Sequence, residues 1–126
     1  MAQLVIAIDF DGTCVTHEYP YMGSDIGAVP VLKELADAGY RLVLNTMRSG
    51  KTEKEAIKWF KDNDIPLFGV NCNPEQKSWT KSPKVFADLY IDDSALGVPL
   101  TSSPTSTRPY VDWIRVREWL VAEGYL

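Results

Sequence analysis

The most constraining feature of this chain is a buried-type strand that runs straight into two carboxylates. Leu4-Val5-Ile6-Ala7-Ile8 is continuous, apolar and rich in β-branched side chains, the pattern of a strand covered on both faces. Asp9-Phe10-Asp11-Gly12-Thr13 follows at once, its glycine and small polar residues marking the turn where the strand ends. A strand without a polar face belongs inside a parallel sheet, and open α/β sheets bind their ligands at the carboxyl ends of their strands. Two close carboxylates repel each other unless a cation or a shared proton relieves them. A divalent metal is the expected relief, and it calls for a further carboxylate. Asp92-Asp93 supply it, directly behind a second run of strand character, Ala87-Asp88-Leu89-Tyr90-Ile91.

The rest of the chain alternates. Val29, Leu32, Leu35 and Ala36 recur at helical spacing and predict a helix over 26–38, with Gly39 as its carboxyl-terminal cap. Arg41-Leu42-Val43-Leu44-Asn45 reads as the second strand. A second helix over 52–62 turns Ala56, Ile57, Trp59 and Phe60 toward the sheet, and Leu67-Phe68-Gly69-Val70 reads as a third strand. Ser82-Pro83 read as the start of a short helix carrying Lys84. Residues 101–109, rich in Ser, Thr and Pro, read as a loop before a last helix over 110–123 that buries Trp113, Val116 and Leu120. The expected fold is α/β: a three-layer, Rossmann-like parallel sheet with helices on both faces and right-handed crossovers. The 126 residues make one domain, 1–126, with no internal repeat.

Composition narrows the partners. Apolar residues at 45% with mixed charges are those of a globular protein, and no run approaches transmembrane length. A net charge of −4 without a basic block disfavours nucleic acid, but not a small phosphorylated substrate whose site contains a metal. No basic-then-apolar leader opens the sequence, so the expected location is cytoplasmic, with Cys14 and Cys72 as reduced thiols.

Between the acid pairs stand Thr46, at the end of the second strand, and Lys84, shortly before the last pair. The order Asp-x-Asp-x-Thr, Thr, Lys, Asp-Asp resembles the four-motif signature of the haloacid dehalogenase (HAD) superfamily of phosphohydrolases, over Asp9 to Asp93. The resemblance implies a HAD-like core, with Asp9 as the nucleophile that accepts the phosphoryl group. It implies Mg²⁺ on the Asp9 side chain, the Asp11 carbonyl and one or both of Asp92 and Asp93. Asp11 would protonate the leaving alcohol and then activate the attacking water, Thr46 would bind a phosphoryl oxygen, and Lys84 would neutralise charge. Neither gap between motifs can house a cap domain, so the site would lie open, and a second subunit is a possible cover.

Other readings compete at several positions. Asp-Gly sequences also make simple turns, Thr46 also suits a helix cap, and Lys77 and Lys81 compete with Lys84. Because successive strand residues face opposite ways, only one of Asp92 and Asp93 aims straight at a metal while the strand continues. Gly12, Arg48 and Asn73 are candidate substrate contacts: Gly12 beside the acids, Arg48 in Thr-Met-Arg-Ser-Gly, and Asn73, with Asn71, past the third strand. Residues 14–25 would form a flap in which His17, Glu18, Tyr19 and Tyr21 face the leaving group. The expected activity is phosphomonoester hydrolysis, on a small molecule ahead of a macromolecule. A nucleotidase or phosphotransferase on the same scaffold is the alternative, as is a receiver-like phosphate-binding module without turnover. The receiver reading suffers because the third strand ends in Asn71-Cys72-Asn73, without an acid.

Overall fold

The computed structural model describes residues 4–126. Four parallel strands form its sheet: β1 (Val5–Ile8), β2 (Arg41–Leu44), β3 (Gly69–Val70) and β4 (Leu89–Ile91), in the spatial order β3-β2-β1-β4. β1 is thus a central strand, and all four of its residues are buried. Helix α1 (Ala28–Asp37) joins β1 to β2, and α2 (Gly50–Asp62) joins β2 to β3. The expected α/β, Rossmann-like parallel sheet is present.

The period-two alternation of the strands sorts the core into two clusters. Ile6, Ile8, Leu42, Leu44 and Ile91 point to one face, where α1 buries Val31, Leu32 and Leu35 and α2 buries Ala56 and Phe60. Helix α3 (Trp113–Ala122) buries Trp113, Val116 and Leu120 on this same face. Fully covering Ile6 and Ile8 stabilises the fold by about 1.5–3 kcal/mol each. On the other face Val5, Ala7 and Val43 meet Val85, Ala87 and Phe68. That second layer is thin, its only helix among the described residues being a 3₁₀ turn, Gln76–Ser78.

Two local expectations are corrected. No helix forms at Ser82-Pro83. The Ser82 hydroxyl accepts from the Lys84 amide at 3.2 Å, a local turn, and the chain then runs extended with Val85 and Ala87 inward. Gln76 fastens it, donating to the Ser82 and Lys84 carbonyls and accepting from the Phe86 amide. The last helix starts three residues later than expected because Leu100–Thr101 (β5) and Tyr110–Val111 (β6) pair antiparallel. Asp112 then caps α3, accepting from the amides of Ile114 and Arg115. Elsewhere the local signals hold. Gly39, with φ 96°, leads out of α1, and the following Tyr40 amide closes onto the Leu35 carbonyl. Both cysteines are free, Cys14 buried and Cys72 exposed.

Candidate active site

The strand ladders continue one residue past β1 and β2, so both acid motifs and the segment leading to Thr46 emerge at the same edge. The Asp9 amide donates to the Ile91 carbonyl at 3.0 Å, that of Asn45 to Ile8 at 2.8 Å, and that of Asn71 to Leu44 at 2.7 Å. Asp9, Asp92 and Asp93 converge there, each offering one carboxylate oxygen within 4.8 Å of the others. Both members of the second acid pair reach the cluster because the chain turns after Ile91. The Ser94 amide donates to the Asp92 side chain at 2.8 Å within that turn.

Thr13 ties the two acid motifs together. Its fully buried hydroxyl donates to Asp9 Oδ2 at 2.8 Å and accepts from the Asp93 amide at 3.0 Å. The third helix holds this loop from behind, Trp113 Nε1 donating to the Thr13 carbonyl at 2.6 Å. Gly12 adopts φ 82°, and a Cβ there would run into the Asp93 carboxylate and the His17 ring. Its place is set by close packing under the acids, and nothing in its surroundings makes it a substrate contact.

The cluster carries more negative charge than its surroundings offset. Burial pushes the Asp9 carboxyl up to about 8; the Thr13 hydroxyl opposes the shift, while Asp92 and Asp93 add to it. Asp92 is raised as well, again chiefly by burial. The Arg108 guanidinium and the His17 ring approach only loosely, Nη2 and Nε2 each lying 3.9 Å from Asp93 Oδ2. Three carboxylate oxygens this close, one of them on the Asp9 carboxyl that burial biases toward holding a proton, suit a hard divalent cation.

Asp11 lies beside the cluster with a different partner. Arg48 grips it as a two-pronged fork, Nε to Oδ2 at 2.8 Å and Nη2 to Oδ1 at 2.7 Å. Arg48 is 2% exposed, and Nη2 also donates to the Tyr21 carbonyl at 2.8 Å. Its guanidinium carbon lies 5.1 Å from the Phe10 ring centroid and 5.3 Å from that of Tyr19. The expectation of a free substrate clamp is therefore corrected. Arg48 lines the pocket, but its donors are spent on Asp11, the Tyr21 carbonyl of the flap and the Thr52 carbonyl of α2.

Thr46 lines the same pocket as Asp9, Asp11, Asp92 and Asp93. Its amide donates to Asn71 Oδ1 at 2.8 Å and its oxygen accepts from the Arg48 amide at 3.1 Å, leaving its own O–H to donate. It does not cap α2, whose capping position is Ser49. Lys84 is not brought to the acids. Its Nζ lies 5.8 Å from the ring centroid of Tyr90, a residue registered with Ala7 on the thinly covered face, and it forms no ion pair among the described residues. The absent helix explains this, since nothing raises Lys84 to the carboxyl edge. Asn73 is also excluded from the pocket. It is buried, donating to the Phe86 carbonyl at 3.2 Å and accepting from the Glu75 amide at 3.0 Å. Arg108 and the Thr13 linkage went unread in the sequence. Arg108 sits in a Ser/Thr/Pro loop that gives no local hint, whereas Thr13 was visible as the last residue of Asp-x-Asp-x-Thr.

Fold and site together define an α/β domain with a carboxylate cluster at the carboxyl edge of a parallel sheet. No family model matches the chain, and no curated protein matches it. A solved structure of a conserved protein from Bacteroides thetaiotaomicron does match, with 35% identity and a TM-score of 0.78 over 98% of this chain and 93% of that one. The chain belongs to the same family as that conserved protein. No helix among the described residues is long and apolar enough to cross a membrane.

Proposed function

We propose that this protein is a metal-dependent phosphohydrolase of the HAD type, acting on phosphomonoesters. The observation that carries the reading is the convergence of Asp9, Asp92 and Asp93 within 4.8 Å at the carboxyl edge, in a pocket shared with Asp11 and Thr46. Phosphoryl transfer asks chiefly for positioning and for charges matched to the transferring oxygens. Asp9, Asp92 and Asp93 would hold Mg²⁺, which supplies positive charge to those oxygens when bound.

An Asp9 oxygen attacks phosphorus as the bond to the leaving oxygen breaks and Asp11 protonates that oxygen, giving an aspartyl-phosphate and an alcohol. Thr13 fixes the orientation of Asp9, and the Thr46 hydroxyl donates to a phosphoryl oxygen. Water then attacks phosphorus, loses its proton, and releases phosphate and the free Asp9 carboxylate. Asp11 takes that proton. Both its oxygens accept hydrogen bonds from Arg48, which suits the base half of its role; the acid half requires the fork to open. The neutralising charge that the motif order assigns to Lys84 would fall to Arg108, which approaches Asp93.

Steady-state hydrolysis of phenyl phosphate, with and without Mg²⁺, tests the proposal. Mg²⁺-dependent phosphate release from wild type and none from Asp9→Asn is the expected result. Equal release from both proteins contradicts it.

A further inference from the structure

The mouth of the pocket is built from side chains that the hydrolytic chemistry does not use. Tyr19 and Met47 both line it, with 56% and 100% of their surfaces exposed. Tyr19 is nevertheless held in place. Its ring packs on the Arg48 guanidinium, which is itself locked by the fork to Asp11 and by the Tyr21 carbonyl two residues along the same flap. One part of the ring meets a buried cation while the rest faces solvent at the pocket rim. An aromatic ring ordered in advance stacks a planar ligand at little further entropic cost.

Size and charge narrow the ligand further. The pocket encloses about 540 Å³, within the usual range for small-molecule sites of roughly 300–1,000 Å³. That leaves space beside a bound phosphate for a ring-sized leaving group. The pocket-lining guanidinium of Arg48 is already engaged by Asp11. Among the described residues no lysine and no other arginine lines the pocket to pair with a second anionic group on the substrate.

We infer that the pocket takes phosphomonoesters whose leaving group carries a planar, uncharged ring, stacked on Tyr19 with Met47 as a second apolar wall. This names the substrate class of the phosphohydrolase reading and rests on it. A nucleoside and an aryl alcohol share the required chemistry.

The test compares uridine 5′-monophosphate and 2-phenylethyl phosphate with glycerol 1-phosphate and glucose 6-phosphate, four esters of primary alcohols. For wild type, kcat/KM is expected to favour the ring-bearing esters by about tenfold, the effect of one stacked ring. In Tyr19→Ala the ratio falls toward one, and in Tyr19→Phe it persists. The ranking of the two ring-bearing esters tells a nucleoside site from an aryl site. Calorimetric binding of the same esters to Asp9→Asn with Mg²⁺ separates the two layers of the argument. Ring-selective binding that Tyr19→Ala abolishes in that background, without turnover by wild type, preserves the ring subsite and removes the hydrolase reading. Equal affinity for all four esters, no measurable affinity, or a preference that survives Tyr19→Ala overturns the inference.

Discussion

Replacing Arg48 by methionine keeps much of the side-chain volume and removes the charge. It deletes two hydrogen bonds to Asp11, at 2.8 and 2.7 Å, one to the Tyr21 carbonyl at 2.8 Å and a longer one to the Thr52 carbonyl at 3.4 Å. The Asp11 side chain is only 12% exposed, so water replaces those donors poorly. Removing one partner of a buried ion pair costs about 3–5 kcal/mol, because the other charge stays behind uncompensated. At an unfolding entropy of about 2.1 cal/mol/K per residue, or roughly 0.26 kcal/mol/K for 126 residues, Tm should drop by about 11–19 °C. Calorimetry on Arg48→Met, Asp11→Asn and the double variant reads this directly. The double variant carries neither charge of this pair and should be more stable than the sum of the single losses predicts, by about 1–3 kcal/mol of coupling. A Tm loss below about 3 °C for Arg48→Met, or strict additivity in the double variant, refutes the claim that Arg48 exists to hold Asp11.

Stability should depend on pH through Asp9. Its folded pKa is raised to about 8, so between the unfolded value near 3.8 and about 8 the folded state keeps a proton that the unfolded chain gives up. Metal-free protein should therefore lose stability relative to Asp9→Asn as pH rises through that window, and Mg²⁺ should raise Tm more at pH 8 than at pH 5. Parallel melting curves for the two proteins across the window would contradict this. Lys84→Ala should leave kcat/KM within about twofold of wild type, whereas Arg108→Ala should lower it about tenfold, as expected for one charge-assisted contact; steady-state kinetics on phenyl phosphate reads both, and the reverse ranking contradicts the placement of these cations. Gly12→Ala forces a side chain against the Asp93 carboxylate at a φ of 82°. It should weaken Mg²⁺ binding about tenfold or more by titration calorimetry, and unchanged affinity would dissociate Asp93 from the metal.

What was legible in the sequence is what local patterning determines. The continuous apolar run of β1 and the helical spacing of Leu32, Leu35, Ala56 and Phe60 follow from burial alone, and the structure places them as read. The two acid pairs were visible because each follows directly on a strand. Lys84 misled because Ser82-Pro83 carries a helix-start signal, while the alternation of Val85 and Ala87, which meets Val5 and Ala7 in the second core, is the period of an extended segment. β5 and β6 escaped notice because each is two residues long and flanks a Ser/Thr/Pro-rich loop. The true partner of Arg48 is 37 residues away in sequence, a contact made by the fold and invisible to any local pattern. Asn73 shows the same limit. A polar residue past a strand end reads as a substrate contact until the carbonyl and amide that occupy it are known.

The central claim is that Asp9 accepts the phosphoryl group. Acid quench of wild type during turnover of phenyl phosphate with Mg²⁺, followed by peptide mass spectrometry, tests it most directly. The account predicts a peptide heavier by one phosphoryl group, with the modification on Asp9, and none in Asp9→Asn. A phosphoryl group on any other residue, or full turnover by Asp9→Asn, contradicts it.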